Sequence, residues 1–166
     1  MKDADDAFAY RQLGWHPGTI GELDHQRLKV PSVKLRGAHH GANGDILYCI
    51  DLRWRRPNAS EHLTTTEAHT LEHFLLEGFS RRLPHNFIGV GLMGCLTGFY
   101  LTLLGEGRRQ VVEKILESVL NDALAASEVP YARMDQCGDW RNHHLASAQA
   151  IAREVLAQRS HWQNVV

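Results

Sequence analysis

An α+β fold, with a largely antiparallel sheet packed with helices, is what this sequence predicts. Three observations carry that prediction. Two strand-like stretches come early, around residues 28–35 and from Ile46 to Trp54. Three segments with helical apolar spacing follow. A glycine-broken, strand-like stretch from Ile88 to Leu104 falls between the first and second of these.

Taken in order, residues 1–19 read as an N-terminal extension ending in the turn-rich Gly14-Trp15-His16-Pro17-Gly18, partly disordered or lying across the surface. Residues 20–166 read as one domain. The segment 28–35 is a strand, with Pro31 favouring an edge position. Gly41 to Asp45 is a turn. The next strand alternates: Ile46, Tyr48, Ile50, Leu52 and Trp54 share one face, and Cys49, Asp51 and Arg53 share the other. Periodicity alone favours a solvated surface for that polar face over the wall of a site. Pro57-Asn58 closes the strand. Thr64 to Glu67 supplies cap residues for a helix that runs to about Arg82, where Pro84 stops it. Ile88 to Leu104 forms one or two strands, and Gly105-Glu106-Gly107 breaks the chain. A helix from about Arg108 to Ala126 carries Val111, Val112, Ile115, Leu116, Val119 and Leu120 at helical spacing. Cys137-Gly138 sits in a loop before a last helix from about His143 to Gln158.

Composition narrows the class. A 43% hydrophobic and 22% charged chain is ordinary for a globular domain, and a formal net charge of -1 argues against general nucleic-acid binding. Three cysteines are too few for a disulfide framework and fit a reducing cytoplasm. The first eleven residues lack the apolar core of a signal peptide, and no apolar run approaches the ~20 residues of a membrane helix. Eleven histidines make metal chemistry worth seeking.

The chemistry concentrates at His69-Thr70-Leu71-Glu72-His73, an HxxEH segment on the first helix. His69 and His73 lie one turn apart on one face, where two imidazoles reach one divalent metal; Glu72 flanks them as an acid or base. The same residues also describe a plain helix surface. A catalytic site needs a third ligand, and Cys137 is the best candidate, although an inert buried thiol fits its spacing too. Two imidazoles and a thiolate suit Zn(II), Fe(II) or Co(II) better than Mg(II). Cys95, between Gly94 and Gly98, reads either as a small core residue or as a thiol poised to move protons.

Together these residues resemble the S-ribosylhomocysteine lyase family, LuxS, which makes the precursor of autoinducer-2. The matching segments are Leu23-Asp24-His25, Asp51-Leu52-Arg53 with Pro57-Asn58, the HxxEH segment, Met93-Gly94-Cys95 with Thr97-Gly98-Phe99-Tyr100, and Gln136-Cys137-Gly138 with His143. They keep the family's order over about residues 20–158. The resemblance implies a LuxS/metallopeptidase-like domain in which His69, His73 and Cys137 hold Fe(II), replaceable by Zn(II) or Co(II). It implies Cys95 and Glu72 as the acid–base pair, and His25 and Arg53 as substrate-pocket residues. It also implies a homodimer with sites at the subunit interface, where His25 serves the partner's site. The implied reaction moves a sugar carbonyl through enediolate steps and then eliminates homocysteine from S-ribosylhomocysteine.

The chain departs from the family around the substrate. Ile20 replaces a usual serine, Gly89, Gly91 and Leu92 replace Asp, Ser and Pro, and Leu96 replaces Arg or Gln. Asp139, Trp140 and His144 vary the segment after Cys137. The metal and acid–base set is kept while the recognition shell is altered, so a divergent substrate preference is expected. Two other readings of HxxEH are an inverted zinc peptidase, which has no use for Cys95 or Cys137, and a non-catalytic metal or ligand sensor on the same scaffold.

Overall fold

A computed structural model describes residues 10–166 of the chain. Four strands form one antiparallel sheet: β1 (Ser32–His40), β2 (Ile46–Arg53), β3 (Phe87–Leu92) and β4 (Gly98–Leu104), in the order β1-β2-β4-β3. The longer helices among the described residues are α1 (Thr65–Arg82), α2 (Arg109–Ala125) and α3 (Leu145–Ala157). The α+β class and the antiparallel sheet stand as predicted.

The alternation of β2 decides which face the helices cover. Ile50 and Leu52 point into the core with Phe99, Leu101 and Leu103 of β4, and Leu71, Phe74, Leu75 and Phe79 of α1 meet them there. Burying each such side chain contributes roughly 1.5–3 kcal/mol. Gly78 lets α1 and α2 approach closely, because a Cβ there would stand 2.3 Å from Val119 Cγ2. Gly98 does the same in the sheet, where a Cβ would lie 2.1 Å from the Leu52 carbonyl oxygen.

Two expectations need correcting. The first strand starts at Ser32, not at residue 28, and runs on to His40, because the turn at Gly41–Asp45 lets residues 32–40 pair with β2. It is an edge strand as expected, with Pro31 just outside it. The polar face of β2 is also not solvated. Asp51 and Arg53 are 1% and 2% exposed. Lys34, the register partner of Asp51 on β1, brings its ammonium to 3.0 Å from the Asp51 carboxylate, so charges on neighbouring strands offset one another in place of water. Alternation sorts side chains onto two faces but does not say what covers each.

The extension is integral as far as it is described. Trp15 is 2% exposed and donates from Nε1 to the Gly107 carbonyl at 2.7 Å, while Arg109 Nε donates to the Gly14 carbonyl. Residues 1–9 of the expected extension lie outside the described residues.

Candidate metal centre

The start of α1 is set locally. Thr64 accepts a hydrogen bond from Glu67 N through its hydroxyl at 3.2 Å, and the Glu67 carboxylate accepts from Thr64 N at 2.8 Å. This capping box fixes the first turn and therefore the direction in which His69 and His73 project.

Facing them is the connection between α2 and α3, which carries Cys137 and His143. One ligand atom from each of His69, His73, Cys137 and His143 lies within 4.8 Å of all the others. Cys137 Sγ stands 3.4 Å from His69 Nε2 and 3.7 Å from His143 Nε2. His69 stacks on His143 with ring centroids 4.1 Å apart and meets His73 edge-on at 4.7 Å.

The outer contacts of the rings define their tautomers. His69 Nδ1 lies 3.0 Å from the Asn142 carbonyl oxygen, and His73 Nδ1 lies 2.6 Å from that of Pro130. A carbonyl only accepts, so each Nδ1 carries the hydrogen and each Nε2 keeps its lone pair for a cation. Burial, and then the neighbouring His69 and His73, push His143 down to about 4, which leaves it a neutral imidazole at neutral pH. Three imidazoles and a cysteine sulfur converge on one point, a donor set that fits a divalent transition metal.

Thr70 ties this connection to the helix: its hydroxyl donates to the Thr66 carbonyl at 2.7 Å and accepts from His144 N at 3.1 Å. A cavity of about 490 Å³ opens beside the cluster, lined by His69, Glu72, His73, Tyr131 and Cys137 among others. Glu72 is thus placed beside the cluster, as its spacing predicts. His143 is the residue that sequence reasoning passed over. It lay in a matched segment but received no role, and the signal was an imidazole six residues after Cys137.

Cys95 does not join this group. It sits in the turn between β3 and β4, and it lines a separate cavity, also about 490 Å³, with His25, Pro57, Asn58, His62 and Thr97. The two cavities share no lining residue. Burial raises the Cys95 thiol, but hydrogen bonds from the Thr97 hydroxyl and backbone, and the Arg53 charge, outweigh it and leave the thiol below its ordinary value. Arg53 stands behind this pocket, donating from Nη1 to Thr97 Oγ1 at 2.7 Å. Of the divergent positions, Ile20 packs against the core, and Gly89 and Gly91 have no atom within 4 Å of where a Cβ would stand.

A helix-borne imidazole pair closed by a loop thiol, with a carboxylate alongside, defines a candidate mononuclear metal centre equipped for acid–base chemistry. The sequence model described as S-ribosylhomocysteinase (LuxS) matches residues 21–166. Among curated relatives, the S-ribosylhomocysteine lyase of Dichelobacter nodosus is 43% identical over 143 residues, covering 86% of this chain and 92% of that protein. The enzyme of the same name from Halobacillus halophilus is 40% identical, covering 86% and 93%. That of Listeria monocytogenes is 38% identical, covering 86% and 91%. The chain belongs to the LuxS family.

Proposed function

We propose that this protein is a metal-dependent lyase that cleaves S-ribosylhomocysteine to homocysteine and 4,5-dihydroxy-2,3-pentanedione, the autoinducer-2 precursor. The carrying observation is the convergence of His69, His73 and Cys137 beside Glu72 in a chain whose residues 21–166 match the LuxS family. His69, His73 and Cys137 hold the metal, which we assign as Fe(II) with Zn(II) or Co(II) able to replace it. When bound, it supplies Lewis acidity to the sugar oxygens as the carbonyl migrates.

The residues of the chain move the protons. The Cys95 thiolate takes a proton from a sugar carbon and returns it to the neighbouring carbon, and Glu72 shuttles protons on the opposite side. Two such transfers bring the carbonyl from C1 to C3. Loss of the C4 proton then expels the C5 sulfur with the electron pair, and the thiolate released is protonated to homocysteine. The sequence is isomerisation followed by elimination, so no oxidant or reductant is consumed.

Glu72 and Cys95 line different cavities of one chain, so the site we propose is completed by a second copy, the Cys95 pocket of one subunit facing the metal cavity of its partner. His25, on the wall of the Cys95 pocket, meets substrate there, and Arg53 supports it from behind. Ile88 and Leu92 on edge strand β3, 57% and 41% exposed, supply apolar surface for such pairing. The lyase domain spans residues 20–166. We place the enzyme in the cytoplasm, where its three free cysteines stay reduced. No helix among the described residues is long and apolar enough to cross a membrane.

The test is thiol release from S-ribosylhomocysteine by anaerobically prepared Fe(II)- or Co(II)-loaded protein, with Cys95→Ala as control. Release that vanishes in the variant is expected. A metal-replete protein that releases no homocysteine would overturn the assignment. Peptide cleavage surviving in Cys137→Ala would point instead to the peptidase alternative.

A further inference from the structure

A chain of buried polar groups runs from the open end of the sheet to Cys95. Lys34 Nζ donates to the Gly21 carbonyl at 2.6 Å and lies 3.0 Å from Asp51 Oδ2. Arg53 Nη2 lies 3.7 Å from the same oxygen, while Arg53 Nη1 donates to Thr97 Oγ1 at 2.7 Å. Thr97 Oγ1 then stands 3.0 Å from Cys95 Sγ and 3.8 Å from Met93 Sδ. Lys34, Asp51, Arg53 and Thr97 are all at most 3% exposed.

Two features of this chain decide its role. First, Asp51 is paired most closely with Lys34, at 3.0 Å, and lies 3.7 Å from Arg53, so the guanidinium that donates to Thr97 is incompletely offset on its Thr97 side. A thiolate at Cys95 supplies the missing negative charge. Second, Thr97 has one hydroxyl hydrogen and two possible sulfur acceptors. With a lone pair already given to Arg53, it donates to Cys95 when that sulfur is an anion. When Cys95 holds a proton, the S–H donates to the remaining Thr97 lone pair, and the hydroxyl hydrogen turns to Met93 Sδ. Each protonation state of Cys95 therefore has a partner in Thr97, and neither leaves the Thr97 hydroxyl hydrogen without an acceptor.

We propose that Thr97 is a positioning residue of the reaction: its hydroxyl relays the charge of Arg53 to Cys95 Sγ and turns between Cys95 and Met93 as Cys95 takes and returns its proton. This rests on the reading of Cys95 as the acid–base group, but it makes a claim about thiol reactivity that holds whatever the substrate.

The test is the pH profile of Cys95 alkylation by iodoacetamide in full-length, metal-loaded protein, read at the Cys95 peptide by mass spectrometry so that Cys49 and Cys137 do not contribute. The other charged or titratable groups around the pocket, His25, Arg56, Glu61 and His62, stay the same in every variant. Wild-type Cys95 should reach half-maximal reactivity below an ordinary cysteine. Thr97→Val, nearly isosteric, should move that midpoint up by about one pH unit, or alkylate about tenfold more slowly near neutrality. Thr97→Ser, which keeps the hydroxyl, should stay within about twofold of wild type. A wild-type midpoint at or above that of an ordinary cysteine would overturn the relay without need of any variant. So would a Thr97→Val profile that overlays wild type, or a Thr97→Ser shift as large as that of valine. Because the readout is alkylation, failure of lyase activity with an intact shift would count against the substrate assignment alone, and activity with no shift would count against Thr97 alone.

Discussion

The metal cavity and the Cys95 pocket obtain their order in opposite ways. The first is assembled from distant parts of the chain. Two imidazoles on α1 meet a thiol and an imidazole on the α2–α3 connection, and backbone carbonyls orient the rings from outside. The second is built around the sheet: a five-residue hairpin turn carries the thiol, His25 and residues 56–62 wall the pocket, and a buried ion cluster on adjacent strands supplies its electrostatics. The ligand set depends on tertiary docking, while the thiol depends on strand register. Damage to one should therefore leave the other largely intact.

The largest expected effect breaks the first region alone. Cys137→Ala or His73→Ala should lower bound metal by roughly tenfold or more, as measured by elemental analysis, and abolish thiol release. Because the two regions meet across the proposed subunit interface, the Cys95 alkylation midpoint should move no more than it does when chelation strips metal from the wild-type protein. A larger shift would mean that the substitution also damages the Cys95 pocket.

Mixing the regions across subunits sharpens the comparison. Glu72→Gln and Cys95→Ala should each be inactive alone. Refolded together, they should recover about a quarter of wild-type activity, because half the dimers are mixed and each mixed dimer has one intact site. Recovery no greater than that of the separate proteins would place both groups in one subunit's site.

The second region breaks through its buried charges. Lys34→Met removes the cation closest to Asp51 and should cost roughly 3–5 kcal/mol of stability, as expected when one partner of a buried pair is removed. Thermal unfolding should report this, with metal content preserved in the folded fraction. A smaller loss is expected at the helix start. Thr64→Ala removes half of the capping box and should cost about 1 kcal/mol, read as a lower denaturant midpoint with an unchanged slope. The subtlest effect concerns specificity. Open space at Gly89 and Gly91 leaves room for Gly89→Asp and Gly91→Ser, and the pair should lower KM for S-ribosylhomocysteine with little change in kcat. No change in either constant would remove these positions from the recognition shell.

How much of this was readable in advance follows the same division. The HxxEH spacing gave the helix face, and the Thr64–Glu67 pattern gave its start, because both are local rules of helix geometry. The sheet class followed from alternation. The burial of Asp51 and Arg53 was not legible, because it depends on Lys34 of β1 pairing opposite Asp51, which is a matter of register. His143 was missed as a possible ligand because its contribution comes from the fold of a connecting segment with no periodicity. The separation of Cys95 from the metal cavity likewise belongs to topology: the two lie on different elements, and spacing along the chain cannot show which cavity each one lines.

Gln149 on α3 carries a consequence for metal exchange. Its side-chain nitrogen donates to the carbonyls of Ala123 and Ala126 at 3.1 and 3.0 Å and so closes the end of α2, where the Cys137 connection begins; His144 N on Thr70 closes the other end. The thiol is thus held at both margins by contacts that involve no ion. Chelation should therefore strip the metal without unfolding the chain, and the pace at which one divalent ion replaces another should follow the breathing of a single bracketed loop rather than refolding of the protein.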